Sequence, residues 1–205
     1  NATLTAKADA AVTIDLSSAN SSTKGFTIVG GSGSGADALT GSAGVDIITG
    51  GAAVDTIIGG AEVDTITGNA GNDIITGGSG NDIITVDSGT DTVLDLGGGG
   101  SGGESDVVVV ASGATLTATG IISFTATSAT ENNGGAVGNA TLTAASAGST
   151  INVGSAGAGA FTLTGGDGVD IITGGGGADI ITGGGAVDTI IGGAEVDTIT
   201  GGAGD

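Results

Sequence analysis

The sequence predicts an all-β fold, a right-handed parallel β-roll or β-solenoid of stacked nine-residue turns. Three observations predict it. An aspartate returns every ninth residue in two arrays. An aliphatic residue follows each aspartate two positions later. Glycine fills the stretches between, 47 in 205 residues, while Pro, Cys, Trp, Tyr, Met and His are absent.

The first array carries Asp37, Asp46, Asp55, Asp64, Asp73, Asp82 and Asp91, and the second Asp170, Asp179, Asp188 and Asp197. Their aliphatic followers are Leu39, Ile48, Ile57, Ile66, Ile75, Ile84 and Val93, then Ile172, Ile181, Ile190 and Ile199. The unit is close to Gly-Gly-x-Gly-x-Asp-x-aliphatic-x. Glycines let the backbone reach positive φ and turn tightly. Segments such as "DIIT" make short strands, whose alternation sends the aliphatic residue inward and its neighbours outward. Loop then strand, repeated, winds a roll with successive strands on opposite faces. With three Phe as the only aromatic residues, the core is thin and aliphatic, and something besides apolar burial has to hold the glycine-rich chain folded.

Four segments follow: wide solenoid turns over 1–31, the first array over 32–96, a Gly/Ala/Thr-rich spacer over 97–164, and the second array over 165–205. A longer repeat encloses the arrays. "NATLTA" occurs at 1–6 and 139–144, and "AVDTIIGGAEVDTITG" at 53–68 recurs at 186–201. Gain or loss of whole units is what a stack of equivalent turns tolerates. In the spacer, alternation in "ATLTAT", "SFTAT" and "FTLT" reads as strands. Leu142, Ile151, Phe161 and Ile172, nine to eleven residues apart, predict slightly wider turns. No helical apolar stripe survives the glycine. The chain lacks an initiator Met and stops at "GGAGD" inside a repeat, which reads as a piece of a longer protein.

The formal net charge is −20, balanced by only Lys7 and Lys24. That excludes a nucleic-acid partner, since phosphate needs Lys and Arg, and argues against an anionic membrane surface. No apolar run is long enough for a membrane span, so direct membrane insertion is not expected. Disorder competes as a reading of high charge, but mean hydropathy is +0.41 and the Ile/Val spacing is regular.

Stacking alternate turns sets Asp37 over Asp55 and Asp46 over Asp64. Like charges that close destabilise unless neutralised. A hard divalent cation between turns answers this. Glycine loops expose carbonyls, and carbonyls with carboxylates form the oxygen set that Ca2+ takes at six to eight positions. Zinc and copper lack their His and Cys ligands, and Mg2+ prefers a small octahedral site with retained waters. All eleven array aspartates are candidate ligands, for several Ca2+ ions. Solvated turns are the bland alternative for them, and strict register on a glycine frame speaks against it.

The pattern resembles the RTX, or hemolysin-type, calcium-binding nonapeptide repeat, across 32–94 and 165–205. The match is sharpest at "GNAGNDIIT" (68–76) and "GGSGNDIIT" (77–85). The remainder is similar in composition to RTX-containing bacterial surface-layer proteins. The resemblance implies type I export and folding in external calcium, hence a secreted, extracellular place at the bacterial cell surface.

Several positions depart from the repeat. Its fourth residue, normally Gly, is Ala53, Glu62, Ala186 or Glu195 in four turns. An L-residue there strains the loop, unless Glu62 and Glu195 add ligands. "DLGGGGSGGESD" (95–106) has acids at the wrong spacing for the array. The Asn1 and Asn20 sequons are short, frequent patterns. Thr49, Thr67, Thr76 and Thr85 face outward among Ile47, Ile58, Ile74 and Ile83, too mixed for an ice-binding lattice. Without His, Cys or Tyr no nucleophile–base arrangement forms, and carboxylates in like surroundings offer no separate acid and base, so no enzymatic activity is expected. The leading reading is a calcium-binding structural protein that self-associates into a surface layer or fibre. The alternatives are the extender of a large adhesin, or the calcium-folded tail of a secreted enzyme or toxin.

Overall fold

A computed structural model of the protein describes residues 2–6, 10–19, 24–96, 106–112, 114–121, 123–126, 130–132, 140–146 and 148–204. Asn1 of the first sequon, the whole of the second, Lys7 and most of the 95–106 stretch lie outside the described residues.

All regular structure among the described residues is short β-strand, paired in parallel into three sheets. The first sheet holds Ala2–Thr5, Phe26–Val29, Ile47–Gly51, Thr65–Asn69, Ile83–Val86, Val107–Val110 and Glu131–Asn132. The second runs nearly the whole chain: Thr13–Asp15, Ala38–Thr40, Thr56–Ala61, Ile74–Ser79, Thr90–Val93, Thr115–Ile121, Ala140–Ala144, Phe161–Thr164, Ile180–Gly184 and Thr198–Gly202. The third holds Ser123–Thr125, Thr150–Asn152, Ile171–Thr173 and Thr189–Ile191. Strands alternate between sheets along the chain, so the backbone coils, as a parallel β-solenoid must.

Register gives the length of each turn. In the arrays Ile57 pairs with Ile75 and Ile66 with Ile84, one turn per 18 residues, or two nonapeptides. Outside them the coil continues with wider turns, of 21 residues where Ile151 pairs with Ile172, as the nine-to-eleven spacing predicts, and of 25 at both ends of the first array. Ile14 pairs with Leu39, Val93 with Ala118 and Ala140 with Phe161. In the spacer one circuit has three sides. Thr115–Ile121, Ser123–Thr125 and Glu131–Asn132 lie in the second, third and first sheets in turn.

The core is thin, built from one file of stacked side chains per sheet. Ile28, Leu39, Ile48, Ile57, Ile66, Ile75, Ile84 and Val93 are fully buried, and Phe124, Leu142, Ile151, Leu163, Ile172 and Ile181 continue the files. Each stacks on the residue one turn away, and some strands bury a second apolar residue, as Val86, Val110 and Phe161 do. In the last two turns Ile190 is only half-buried and Ile199 is exposed. The outward neighbours are Thr and Ile; Ile47, Ile58, Ile74 and Ile83 are 39–45% exposed. Charge sits at the edges of the roll, where the loops turn.

Candidate metal centres

Each array aspartate ends a loop and starts a strand, one residue before an outward position. Asp37, Asp46, Asp55, Asp64, Asp73, Asp82, Asp91, Asp170 and Asp179 are buried, and Asp188 and Asp197 are half-buried. The aspartates stack in columns, linked amide to carboxylate. On the second sheet the Asp37 N–H donates to Oδ1 of Asp55 (2.7 Å), that of Asp55 to Asp73 (2.8 Å) and that of Asp73 to Asp91 (2.9 Å). On the first sheet Asp46 donates to Asp64 (2.7 Å) and Asp64 to Asp82 (2.8 Å). Asp170 to Asp188 and Asp179 to Asp197, each 2.9 Å, repeat this in the second array.

The columns extend past the aspartates legible in the repeat. Asp82 N–H donates to Oδ1 of Asp106 at 2.9 Å, and Asp106 is buried. Asp106 therefore holds the next place on the first sheet, 24 residues on instead of 18. The signal was present: Asp106 in "SDVVVV" is followed two positions later by buried Val108. Asp95 accepts from the Gly77 and Gly78 amides at 2.9 and 2.8 Å, closing the loop that precedes Asp82. In the third sheet Ser149 stands in the column and donates its N–H to Oδ1 of Asp170 at 2.6 Å. In the spacer the second-sheet column turns apolar. Asp91 pairs with Leu116, Leu116 with Ala140, and Ala140 with Phe161, whose N–H donates to Asp179 at 2.8 Å. Phe161 thus occupies an aspartate place rather than the aliphatic place its spacing suggested. Leu163, paired with Leu142 and Ile181, fills the latter.

The first glycine of each unit lies under the carboxylate. A Cβ on Gly41, Gly50 or Gly59 would come within 2.6, 2.8 and 2.6 Å of Oδ2 of Asp46, Asp55 and Asp64. At the fourth position Glu62, Ala186 and Glu195 adopt left-handed φ of 68°, 61° and 67°, the strain expected of an L-residue there, whereas Ala53 does not.

Burial pushes the Asp64 carboxyl up to about 7, and repulsion from Asp82, Asp46 and Glu62 adds to it. Burial pushes Asp73 up to about 6, with Asp91, Asp55 and Asp87 adding repulsion. Asp91 and Asp179 also rise, chiefly through burial. Desolvated neighbouring carboxylates in a chain with two lysines call for a cation.

The loops fit one of the oxygen-seeking kind. Oδ2 of Asp64, Asp73 and Asp91 is buried and receives no hydrogen bond. Carbonyls of the preceding turn crowd the second and fourth positions. A Cβ on Gly60 or Gly78 would collide with the carbonyl of Ser42 or Gly60, and one on Gly71 or Gly80 with that of Ala53 or Glu62. Among the described residues no group of three carboxylates is placed to hold a metal. Backbone carbonyls must therefore supply much of the coordination, which suits Ca2+.

Asp73 offers a bare buried oxygen. Asp37 has both oxygens engaged, by Val12 N–H at 2.8 Å and Gly31 N–H at 2.6 Å. Asp73→Ala is expected to lower calcium affinity more than Asp37→Ala, by roughly tenfold in the affected step. Calorimetric titration of the two variants checks this, and equal losses contradict it.

Comparison with known families agrees with this chemistry. The family model for the RTX calcium-binding nonapeptide repeat (4 copies) matches residues 31–66, 58–93, 146–181, 155–190 and 182–205, more than half of the chain. The match from 146 begins ahead of the second array and takes in Ser149, the residue bonded to Asp170. No curated protein and no solved structure matches the chain significantly.

Proposed function

The chain belongs to the RTX calcium-binding nonapeptide repeat family, and from that premise we propose that it is a calcium-stiffened structural element of a bacterial extracellular surface assembly, a surface layer or fibre. The repeats bind several Ca2+ ions, and proteins that carry them are typically secreted. Calcium here has a structural role. It neutralises buried carboxylates and joins one turn to the next, so binding and folding are one equilibrium.

The observation that carries the assembly reading is the separation of charge from the faces. Carboxylates line the edges, while the strands turn Thr and Ile outward; Ile171 and Ile191 are 49% and 54% exposed. Calcium at the edges cancels much of the repulsion between chains. Neutral, β-branched, regular faces then favour lateral contact with further copies. The second sheet passes from the first array through the spacer into the second array, which supports a stiff rod.

Millimolar calcium is expected to raise light scattering of the purified protein and to give sheets or filaments by negative-stain microscopy, both reversed by chelator. A protein that folds in calcium yet stays monomeric at high concentration contradicts assembly. The continuous rod then favours the second reading, the extender of a large adhesin.

A further inference from the structure

The turns hold their carboxylates in two ways. In one, a backbone amide at the start of the loop caps the outer oxygen. Gly51 N–H donates to Oδ2 of Asp55 at 2.6 Å, and Gly166 and Gly175 donate to Asp170 and Asp179 at 2.7 Å. Gly31 does the same for Asp37. None of these four glycines has left-handed φ. In the other, the loop takes left-handed φ at its second and fourth residues. Gly60 and Glu62 precede Asp64 at 129° and 68°, and Asn69 and Gly71 precede Asp73 at 69° and 145°. There Oδ2 is buried and receives no donor.

Asp46 is the extreme of the first kind. Its Oδ2 accepts the Ser42 N–H at 2.5 Å and the Ser42 hydroxyl at 3.0 Å. Its Oδ1 accepts the Phe26 N–H at 2.5 Å and lies 3.2 Å from the same hydroxyl. Gly44 N–H in turn holds the Ser42 hydroxyl at 3.2 Å. Ser42 stands where Asp55 and Asp64 have Gly51 and Gly60, and as an L-residue it disfavours the left-handed form.

We propose that calcium fills the turns in a fixed order, with Asp64 and Asp73 loading first and Asp46 last, and that Ser42 is the residue that delays Asp46. The inference rests on the calcium reading and adds a ranking within it. A donor on a carboxylate oxygen competes with a cation for the same lone pairs. At Asp64 and Asp73 the cation gains an oxygen that nothing holds. At Asp55, Asp170 and Asp179 it must displace one amide. At Asp46 it must displace an amide and a hydroxyl and open a loop that Ser42 disfavours opening. The repeat thus holds sites of graded affinity although its aspartates are identical in spacing.

The test withdraws calcium from the saturated full chain with a buffered chelator and follows hydrogen exchange of its peptic peptides by mass spectrometry. Peptides spanning 41–48 are expected to lose protection at higher free calcium than those spanning 66–76. Ser42→Gly removes the hydroxyl and permits the left-handed form. It is expected to move the midpoint of the 41–48 segment to roughly tenfold lower free calcium, toward that of the Asp55 turn, where glycine holds the same position. One shared midpoint for both segments in the parent chain overturns the order. An unchanged midpoint in Ser42→Gly overturns the role of Ser42. If no segment responds to calcium, the metal reading itself fails and takes the ranking with it, a result distinct from either of the others.

Discussion

Stripping calcium at pH 8 is expected to abolish most of the β circular-dichroism signal, and acidification of the metal-free chain to about pH 5 to bring part of it back. The metal-free fold must bury nine array aspartates in a chain that has only two basic residues. A small domain has only about 5–15 kcal/mol of net stability, and a thin, largely aliphatic core supplies less apolar burial than an ordinary one. A ligand at a hundredfold its Kd adds about 2.7 kcal/mol per site, so several ions decide whether the roll exists. The direction with pH follows from the buried groups. Asp64 and Asp73 rise in the fold to about 7 and 6 from an ordinary 3.8. Between those values the folded chain holds protons that the unfolded chain has released, so metal-free stability falls as pH rises through that window. Below 3.8 both states are protonated, and these groups give nothing further. Calcium reverses the trend, because it competes with the same protons: its affinity is expected to fall as pH drops from 8 to 6. A metal-free chain with full β signal at pH 8 and low salt contradicts the whole scheme.

Much of the roll is readable without coordinates because its rule is short. Asp-x-aliphatic fixes which side chain enters the core, and a period of nine with alternating faces fixes which strands pair. Ile57 over Ile75 and Ile66 over Ile84 follow directly. The rule fails where the chain changes the length of a turn without changing its chemistry. Asp106 keeps both its aspartate and its following Val108, but six additional residues hide it from a count of nine. Phe161 fails for a different reason. In "FTLT" both alternate residues are apolar, so the period-two pattern cannot say whether Phe161 or Leu163 stacks on Leu142. The loop forms were also hidden. "GGAAV" before Asp55 and "GGAEV" before Asp64 differ by one residue. Yet one caps its carboxylate and the other leaves an oxygen bare. Both second-position glycines face a carbonyl of the preceding turn at the same distance, so nothing local separates the two forms.

Gly60→Ala is expected to lower the melting temperature of the calcium-saturated protein sharply, with a cost of roughly 2–4 kcal/mol. Two effects act together. Gly60 sits at φ 129°, which L-residues rarely adopt, and a Cβ there meets the Ser42 carbonyl of the preceding turn. The backbone cannot yield on that side without opening the stack, because Ser42 O also accepts the Ala61 N–H at 3.2 Å. The comparison that isolates this effect is Gly157→Ala in the spacer. Gly157 is exposed, is not left-handed, and has nothing within 4 Å of a Cβ. Alanine there is expected to be neutral or to add about 0.5 kcal/mol by restricting the unfolded chain. The chain supplies a third arm. Asn69 holds the same second position in the next nonapeptide at φ 69°, in the left-handed region that Asn enters several-fold more readily than most residues. Gly60→Asn can relax toward that conformation where Ala cannot do so as readily. It is therefore expected to lose less stability than Gly60→Ala and to keep more of the calcium response. Thermal unfolding of the three variants in saturating calcium gives the order: Gly157→Ala most stable, then Gly60→Asn, then Gly60→Ala. If Gly60→Ala melts with the parent chain, the second loop position does not need glycine, and the account of the stack built on it is wrong.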